Sequence, residues 1–391
     1  MKTWLTLTGI IPFCASVRKT RVHTVIIPIL WGVILFGPCR APADEPGLRH
    51  VTVFTSGEGG YHTIRIPALE VAPNGTLLAF AEGRRNSSAD PGWPGQEIDL
   101  LLKTSRDGGR TWSPIRVIEH SGAQWSSANP ATVVDKTTGR IWLFYLRCAP
   151  GANTHRARPG SRDVLNLVRF SDDHGEHWSD PVDLTPVARD MADKEWGTSV
   201  PGPGGGIQLS SGRLVIPMWR YRPFRDFVLF SDDHGATWQR GAFVPGQMGV
   251  DECQLVELAD GRLALDMRQQ NGPHRWVSFS RDGGQTWSEP RPGQEVTPVC
   301  CAVERWTSVK RGDDRNRIAW TGPRGPGRNN LTLWISYDEL EKFQNPRLIS
   351  EGPGAYSDLA VLPDKTLGIL WEKAYQEIIF AAVSLSWVEP R

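Results

Sequence analysis

Short runs of alternating apolar and polar residues divide most of the chain into segments of β-strand length, and several of these runs end in one motif. The motif is Ser-x-Asp-x-Gly-x-x-Trp, and its full copies lie at 105–112, 171–178, 231–238 and 280–287. The preceding alternating runs lie at 100–104, 167–170, 227–230 and 276–279. A degenerate fifth copy begins Ser336-Tyr337-Asp338. Because the motif follows a strand each time, it predicts a repeated β-architecture.

The residue types of this motif predict a hairpin turn. Its Ser and Asp side chains can bond backbone N–H groups, its Gly can adopt the positive φ that such turns need, and its Trp can fold back as an apolar plug. Successive copies start roughly 50 to 65 residues apart, about the length of one four-stranded blade, so there is room for about six blades. The sequence therefore predicts an all-β fold, a single six-bladed β-propeller over residues 46–391.

Composition agrees with a turn-rich β protein, since the 391 residues include 40 Gly, 30 Pro and 17 Trp. The length alone would favour two or more domains, but the repeat indicates one closed unit. The 44 Lys and Arg residues nearly balance the 43 Asp and Glu residues, for a net charge of +1. The chain therefore lacks the charge excess of a protein that binds nucleic acid or an acidic membrane, and no stable protein partner is predicted.

Residues 1–43 have the pattern of a secretory leader. The basic segment 18–21 precedes an apolar run at 24–36, and the small residues at 41–43 offer a cleavage site. The apolar run is short for a membrane span, although an uncleaved anchor remains the alternative. The pattern predicts a secreted or periplasmic protein.

No metal or organic cofactor is predicted. Outside the leader the cysteines are at positions without metal-ligand spacing: Cys148, Cys253, Cys300 and Cys301. A disulfide is permitted in an exported protein, and buried free thiols are at least as consistent with the pattern. His174 and His234 occupy variable positions of the repeated turn, where solvated side chains are expected. The glycine-rich segment 202–206 lacks the Lys-Ser/Thr of a phosphate-binding loop and continues into an apolar strand.

The segment around Arg65 carries the first chemical signal. Arg65 lies between Ile64 and Ile66 in an apolar strand, where a permanent charge is costly unless an anion meets it. Together, the Arg-Ile-Pro sequence at 65–67 and the repeated Ser-x-Asp-x-Gly-x-x-Trp motifs, or Asp-boxes, resemble the sialidases (exo-α-neuraminidases) of bacterial type. This resemblance implies hydrolysis of terminal α-linked sialic acids on glycoproteins, glycolipids and oligosaccharides.

Two further segments follow the family order. The segment 77–84 resembles the one that carries the second active-site arginine, which implies that Arg84 binds substrate, with Arg85 as the alternative. Asp90 matches the acid/base aspartate and Asp99 is its competitor. We prefer Asp90 because a mobile loop can place its carboxyl over the leaving group, whereas Asp99 lies in an alternating strand.

The second half of the chain supplies the other matches. Glu252 matches the glutamate that pairs with the nucleophile, although Asp251 stands where Asn is common in the family. The resemblance also implies a carboxylate clamp of three arginines, which are Arg65, Arg268 and Arg328 in chain order. The segment 354–359 resembles the nucleophile segment, which implies that Tyr356 is the nucleophile.

Glu372 matches the carboxylate that orients Arg65. The chemistry requires these residue types, because three guanidinium groups give planar, permanently charged recognition of the carboxylate on the anomeric carbon. A neutral phenol approaches that carboxylate without the repulsion that an Asp or Glu nucleophile would meet. With a tyrosyl intermediate, the anomeric configuration should be retained.

Three alternatives remain open from the sequence. A trans-sialidase, including an intramolecular enzyme that releases an anhydro sugar, would use the same residues, and so would an enzyme specific for a deaminated nonulosonic acid. A non-catalytic propeller that binds glycans or proteins is the third. Since a pure binding protein has no reason to keep Asp90, Glu252 and Tyr356 together, the enzyme is favoured.

Overall fold

The computed structural model describes residues 46–246 and 249–389, and the predicted leader at 1–43 lies outside them. The strands in chain order are β1 (Leu48–Thr55), β2 (Thr63–Val71), β3 (Leu77–Arg84), β4 (Ile98–Ser105), β5 (Arg116–Glu119), β6 (Ser126–Val134), β7 (Ile141–Cys148), β8 (Val164–Ser171), β9 (Val182–Asp183), β10 (Thr198–Pro201), β11 (Gly204–Gly205), β12 (Ile207–Gln208), β13 (Leu214–Tyr221), β14 (Arg225–Ser231), β15 (Gln239–Arg240), β16 (Val250–Glu257), β17 (Leu263–Gln269), β18 (His274–Ser280), β19 (Arg291–Glu295), β20 (Ala302–Thr307), β21 (Arg317–Pro323), β22 (Asn329–Ser336), β23 (Gln344–Val361), β24 (Leu367–Lys373) and β25 (Glu377–Val383). The α-helices are single turns, α1 (Thr185–Ala188) and α2 (Leu385–Val388), and two 3₁₀ turns lie at Glu58–Gly60 and Val309–Arg311. The predicted all-β class is confirmed.

Most strands pair antiparallel with the next strand in the chain. The sheet orders are β2-β3-β4-β6-β7-β8-β9 with β5 on β4 and β11 on β6, β10-β13-β14-β15 with β12 on β13, β16-β17-β18-β19, and β1-β25-β24-β23-β22-β21-β20. The long strand β23 joins two antiparallel runs, because residues 344–353 pair with β22 and residues 354–361 pair with β24. The result is a series of antiparallel meanders.

The first described strand closes this series onto its last members. β1 pairs antiparallel with β25, from Leu48 opposite Val383 to Thr55 opposite Glu377. The N-terminal strand therefore becomes the outer strand of the meander that begins in the second half of β23. Such closure pairs strands from the two ends of the described chain, so unfolding one end exposes an edge of the other.

The repeated motif forms the predicted turn in all its copies, including the degenerate fifth. Each Ser hydroxyl accepts from the backbone N–H four residues on, at 2.9 Å for Ser105 and for Ser336 and at 2.8 Å for the three copies between. Each Asp carboxylate also accepts from the N–H four residues on, at 2.8–2.9 Å. In the fifth copy Leu340 replaces the Gly and adopts a φ of 72°. The motif therefore fixes its own backbone.

The Trp residue of the motif also joins neighbouring meanders. Trp238 is 8% exposed and packs edge-on against Phe144 of β7, with ring centroids 4.8 Å apart. Trp112 packs against Phe380 of β25 at 5.5 Å and is only partly buried.

His234, expected to be solvated, is half exposed but pairs with Asp135 at 2.9 Å.

The four cysteines of the described ranges are buried free thiols, so the permitted disulfide is not formed. They are Cys148, Cys253, Cys300 and Cys301. Across 46–246 and 249–389, none of the helices has the length and apolar character needed to cross a bilayer.

Candidate active site

The predicted site residues lie where the inner strands of several meanders are irregular. Arg65 is on β2, Glu252 on β16 and Tyr356 on β23, and the pairing register of each strand shifts beside that residue. Ile66, next to Arg65, has a φ of 60°. A β-branched residue rarely adopts this conformation, and a bulge re-aims the neighbouring side chain. At these irregularities the regular alternation of side-chain direction along the strand is interrupted, which changes the direction of the neighbouring polar side chains.

Tyr356 and Glu252 form the central pair. The Tyr356 hydroxyl lies 2.6 Å from both carboxylate oxygens of Glu252, and Arg268 donates to this hydroxyl at 2.9 Å and also to Glu252. Burial and the Glu252 charge raise the pKa of Tyr356 well above its ordinary value, although Arg268 and Arg65 act in the opposite direction. Tyr356 is therefore a neutral phenol at physiological pH, with its proton directed at a carboxylate.

Glu372 on β24 orients both Arg65 and the Tyr356 strand. Its two oxygens accept from Arg65 Nε at 3.0 Å and Nη2 at 3.1 Å. The same carboxylate accepts from the backbone N–H groups of Ile66 at 2.8 Å and Tyr356 at 3.4 Å. Since Glu372 is buried, this bidentate pair is stronger and more directional than a surface ion pair. The predicted orienting contact is present.

Asp251 lies beside the central pair. Its carboxylate is 3.6 Å from Arg268 Nε and accepts from Gln270. Burial raises the pKa of Asp251, and Glu252 raises it further, while Arg268 lowers it. The raised pKa reflects the cost of placing a second carboxylate charge beside Glu252, at a position where the family commonly has Asn.

Arg84 and Asp90 form an ion pair. The Arg84 side chain is 1% exposed, and its Nη1 donates to Asp90 at 3.0 Å and to the carbonyl of Ser88 at 2.7 Å. Its Nε and Nη2 donate to the buried Glu82. Asp90 is 68% exposed and lies 4.0 Å from Arg65. Arg84 thus holds the loop that carries Asp90, and its direct contact with a substrate stays a prediction.

The alternative pair, Asp99 and Arg85, is engaged elsewhere. Asp99 is fully buried, and its oxygens meet Arg85 at 2.5 Å and His120 at 2.8 Å. Glu97, Asp99 and His120 lie close enough together to hold a metal ion, but the Arg85 guanidinium already lies between Glu97 and Asp99, at 2.9 Å from Glu97. A cation there would compete with a permanent positive charge. This geometry favours the exposed Asp90 as the acid/base group.

Arg328 directly precedes β22. With Arg65 and Arg268 it forms the arginine group around Tyr356. It donates to the Pro298 carbonyl at 2.9 Å and to the Tyr375 hydroxyl at 3.1 Å, and its guanidinium carbon is 5.5 Å from the centre of the Tyr356 ring. Arg65 lies 5.2 Å from the same centre. Sequence reasoning missed Tyr375, although an aromatic residue in the hairpin turn just after the orienting glutamate was the available signal. The three guanidinium groups therefore surround the central pair.

Together these groups can bind an anion and protonate a leaving group. Arg65, Arg268 and Arg328 are around the phenol of Tyr356, and the exposed carboxyl of Asp90 stands at the edge, beside Arg65. A small carboxylate would satisfy guanidinium donors that face one point. A phenol paired with a carboxylate base is an activated nucleophile.

Comparison with known proteins places this arrangement in context. Residues 75–369 match the family model described as a BNR repeat-like domain. The chain is 30% identical to sialidase-3 of Mus musculus over 81% of its own length and 88% of that protein. It is also 30% identical to the sialidase of Micromonospora viridifaciens over 95% of its length, but spans 60% of that relative.

Solved structures agree in fold. The structure superposes on a Hadza microbial sialidase with a TM-score of 0.76 and 27% identity, over 85% of this chain and 68% of the other. It superposes on the intramolecular trans-sialidase of Ruminococcus gnavus with a TM-score of 0.74 and 19% identity, over 86% and 98% of the two chains. The second likeness concerns the fold alone.

Proposed function

The chain belongs to the sialidase family of glycoside hydrolases, and we propose that it is an exo-α-sialidase that hydrolyses terminal α-linked sialic acids with retention. The observation that carries this proposal is the hydrogen bond from Tyr356 to Glu252 within the group of three arginines. Its substrates are sialylated glycoproteins, glycolipids and oligosaccharides.

We further infer that the meanders form a six-bladed β-propeller. The blades would be β2–β5, β6–β9, β10 with β13–β15, β16–β19, β20–β22 with the first half of β23, and the second half of β23 with β24, β25 and β1. Two facts support this count: the inter-meander packing of the Trp residues, and the closure of β1 onto β25. A propeller brings its inner strands together at one axis, as the site requires.

Substrate binding would begin at the carboxylate of the sugar. Arg65 and Arg268 each hold a buried carboxylate partner, so their orientation is set before substrate arrives. A guanidinium group keeps its charge at any physiological pH and presents paired donors to a carboxylate. This recognition selects an acidic sugar over a neutral one.

The first chemical step would form a tyrosyl intermediate. Glu252 accepts the phenolic proton while Tyr356 Oη attacks the anomeric carbon, and Asp90 gives its proton to the departing glycosidic oxygen. The bond to the leaving sugar breaks as the bond to Tyr356 forms. Since the high pKa of Tyr356 makes its phenolate unfavourable, the adjacent base is necessary.

The second step would return the enzyme to its starting state. Asp90, now ionised, takes a proton from water, and the oxygen of that water attacks the anomeric carbon. The Tyr356–carbon bond breaks and Glu252 returns the proton to the phenol. Two inversions at one carbon give net retention.

Release of a fluorophore from a fluorogenic α-sialoside tests this proposal. We expect Tyr356→Phe to lower kcat about a thousandfold or more, because it removes the nucleophilic atom. Binding of a sialic acid analogue should persist, since the arginines remain. The control is Tyr337→Phe in the fifth Asp-box. It removes a hydroxyl that donates to Glu389 and should leave kcat unchanged. Equal turnover by wild type and Tyr356→Phe would contradict the nucleophile assignment.

Product analysis separates hydrolysis from intramolecular transfer. Proton NMR during turnover should show the free sialic acid first as its α-anomer, before mutarotation. An anhydro sugar as the product would instead identify an intramolecular trans-sialidase, and a β-anomer as first product would contradict retention.

A further inference from the structure

The hairpin between β24 and β25 places an aromatic side chain inside the arginine group. Tyr375 lies in its turn, and both Ala374 and Tyr375 adopt positive φ, at 53° and 55°. Ser56 ties the turn to the chain before β2, since its N–H donates to the Gln376 carbonyl at 2.7 Å and its hydroxyl to the Tyr375 carbonyl at 3.4 Å. Non-glycine residues at positive φ are costly and persist where the surroundings hold them.

Tyr375 contacts two arginines of the proposed carboxylate clamp. The Arg65 guanidinium carbon lies 4.8 Å from the centre of its ring, within the range of a cation–π contact. Its hydroxyl accepts from Arg328 Nη1 at 3.1 Å. Tyr375 is 37% exposed, so an incoming ligand can reach it.

The three arginines differ in how their charges are compensated. Arg65 has Glu372 as a bidentate partner, and Arg268 pairs with Glu252. Arg328 pairs with no carboxylate in 46–246 and 249–389. Its acceptors are two neutral oxygens, the Pro298 carbonyl and the Tyr375 hydroxyl.

A neutral acceptor can orient a guanidinium group without neutralising it. A carboxylate in place of the Tyr375 hydroxyl would hold Arg328 more strongly but would also compete with a negatively charged ligand. The phenolic oxygen accepts from Arg328, which leaves its own hydrogen for a further acceptor. The pair of Tyr375 and Arg328 thus keeps one uncompensated positive charge at the site.

We propose that Tyr375 is a positioning residue for carboxylate recognition, holding Arg328 in place so that its full charge meets the carboxylate of an acidic sugar. This inference rests on the proposed sialidase function. It adds to the matched residues a side chain that neither the Asp-boxes nor the clamp arginines indicate. Because the carboxylate is present both before and during reaction, Tyr375 acts on binding in the ground state and the transition state alike.

Tyr375→Phe tests this role, since it deletes the hydroxyl and keeps the ring over Arg65. We expect KM for a fluorogenic α-sialoside to rise about five- to tenfold with kcat within about twofold, because a hydrogen bond to a charged group is lost from both states. Affinity for the 2,3-didehydro analogue of N-acetylneuraminic acid should fall by the same factor, and affinity for its carboxamide should not change. Tyr337→Phe is the matched control and should alter neither ligand.

Tyr375→Glu provides the opposite perturbation. It places a carboxylate beside Arg328, and affinity for the acid should fall about twentyfold or more, while affinity for the carboxamide changes little. Retained affinity for the acid in either variant, or equal losses for acid and carboxamide, would overturn the role of Tyr375. Wild type that binds neither analogue would overturn the proposed function itself, and this inference with it.

Discussion

Hydrogen bonds made by polar side chains hold both the Asp-boxes and the active site together, but the bonded residues are separated by very different distances along the sequence. In the third Asp-box, Ser231 and Asp233 accept from backbone N–H groups four residues away. In the site, Tyr356 reaches Glu252 across 104 residues, and Arg65 reaches Glu372 across 307. The first set fixes a turn by itself, whereas the second exists only after the sheets have assembled.

This difference predicts that Asp-box side chains contribute mainly to stability and that site side chains contribute to activity as well. A side chain whose partners are local contributes to the turn that contains it, and through the Trp to the packing of two adjacent meanders. A side chain whose partners come from other meanders contributes to a site that no single meander can form. Substitutions in the Asp-boxes should therefore affect unfolding, and substitutions in the site should affect turnover as well.

The largest effect expected from this comparison is that of Glu372→Gln. The variant leaves Arg65 without its buried counter-charge, so we expect about 3 kcal/mol loss of stability and about a hundredfold loss in kcat/KM. Thermal unfolding and steady-state kinetics on one α-sialoside measure the two effects.

Glu389→Gln is the matched control for that experiment. Glu389 is bound bidentately by Arg317, at 2.9 and 3.0 Å, at the end of the described chain. Its substitution should lower the melting temperature with kcat/KM unchanged per folded molecule. If both variants lost activity equally, the role assigned to Glu372 in orienting Arg65 would be refuted.

The Asp-box side of the comparison is tested by Trp238→Ala. Trp238 is nearly buried against Phe144 and Trp142, so its truncation should cost about 3 kcal/mol and lower the melting temperature by about 4 °C. Trp112→Ala should cost less, because that side chain is only partly buried. Both variants should keep wild-type kcat/KM at 25 °C. A loss of kcat/KM in folded Trp238→Ala would mean that the Asp-boxes are not purely structural.

The same contrast explains what could be predicted from the sequence. The hydrogen bonds of the Asp-box turns were predictable from the motif, including the degenerate copy at Ser336, because the groups that form them lie within eight residues. The positive φ of Leu340 and the pairing of His234 with Asp135 were not predicted. The contacts between Tyr356 and Glu252 and between Arg65 and Glu372 were expected from family order alone. No local pattern relates residues so far apart in the chain.

Two features depended on packing that the sequence does not display. Arg84 was expected to bind substrate, but its burial beside Glu82 and its bonds to the loop of Asp90 become visible only in three dimensions. Tyr375 was missed because it belongs to none of the motifs recognised in the sequence. Its relation to Arg65 and Arg328 depends on how three separate meanders meet.

The smallest expected effect concerns two aspartates seven residues apart, which respond to pH in opposite directions. Asp233 of the third Asp-box has its pKa lowered to about 2 by hydrogen bonds from the Thr237 side chain and backbone. Asp226 is fully buried, has no N–H or O–H donor among the described residues, and lies near Asp251. Burial, with a smaller contribution from Asp251, raises the pKa of Asp226 well above its ordinary 3.8, although a hydrogen bond from the Cys253 thiol acts in the opposite direction.

A raised carboxyl pKa means that the folded state binds the proton more tightly than the unfolded state does. Stability from Asp226 is therefore full below about pH 4 and declines as the pH rises toward its folded pKa. Asp226→Asn should make the melting temperature fall less steeply between about pH 4 and 8. Asp233→Asn is the control with the opposite sign: its stabilisation is present above about pH 4 and is lost as the pH falls toward 2, so it should alter only the acid limb, by about 1 °C. Identical pH profiles of melting temperature for wild type and Asp226→Asn would show that Asp226 is ionised in the fold, with a donor that these contacts do not include.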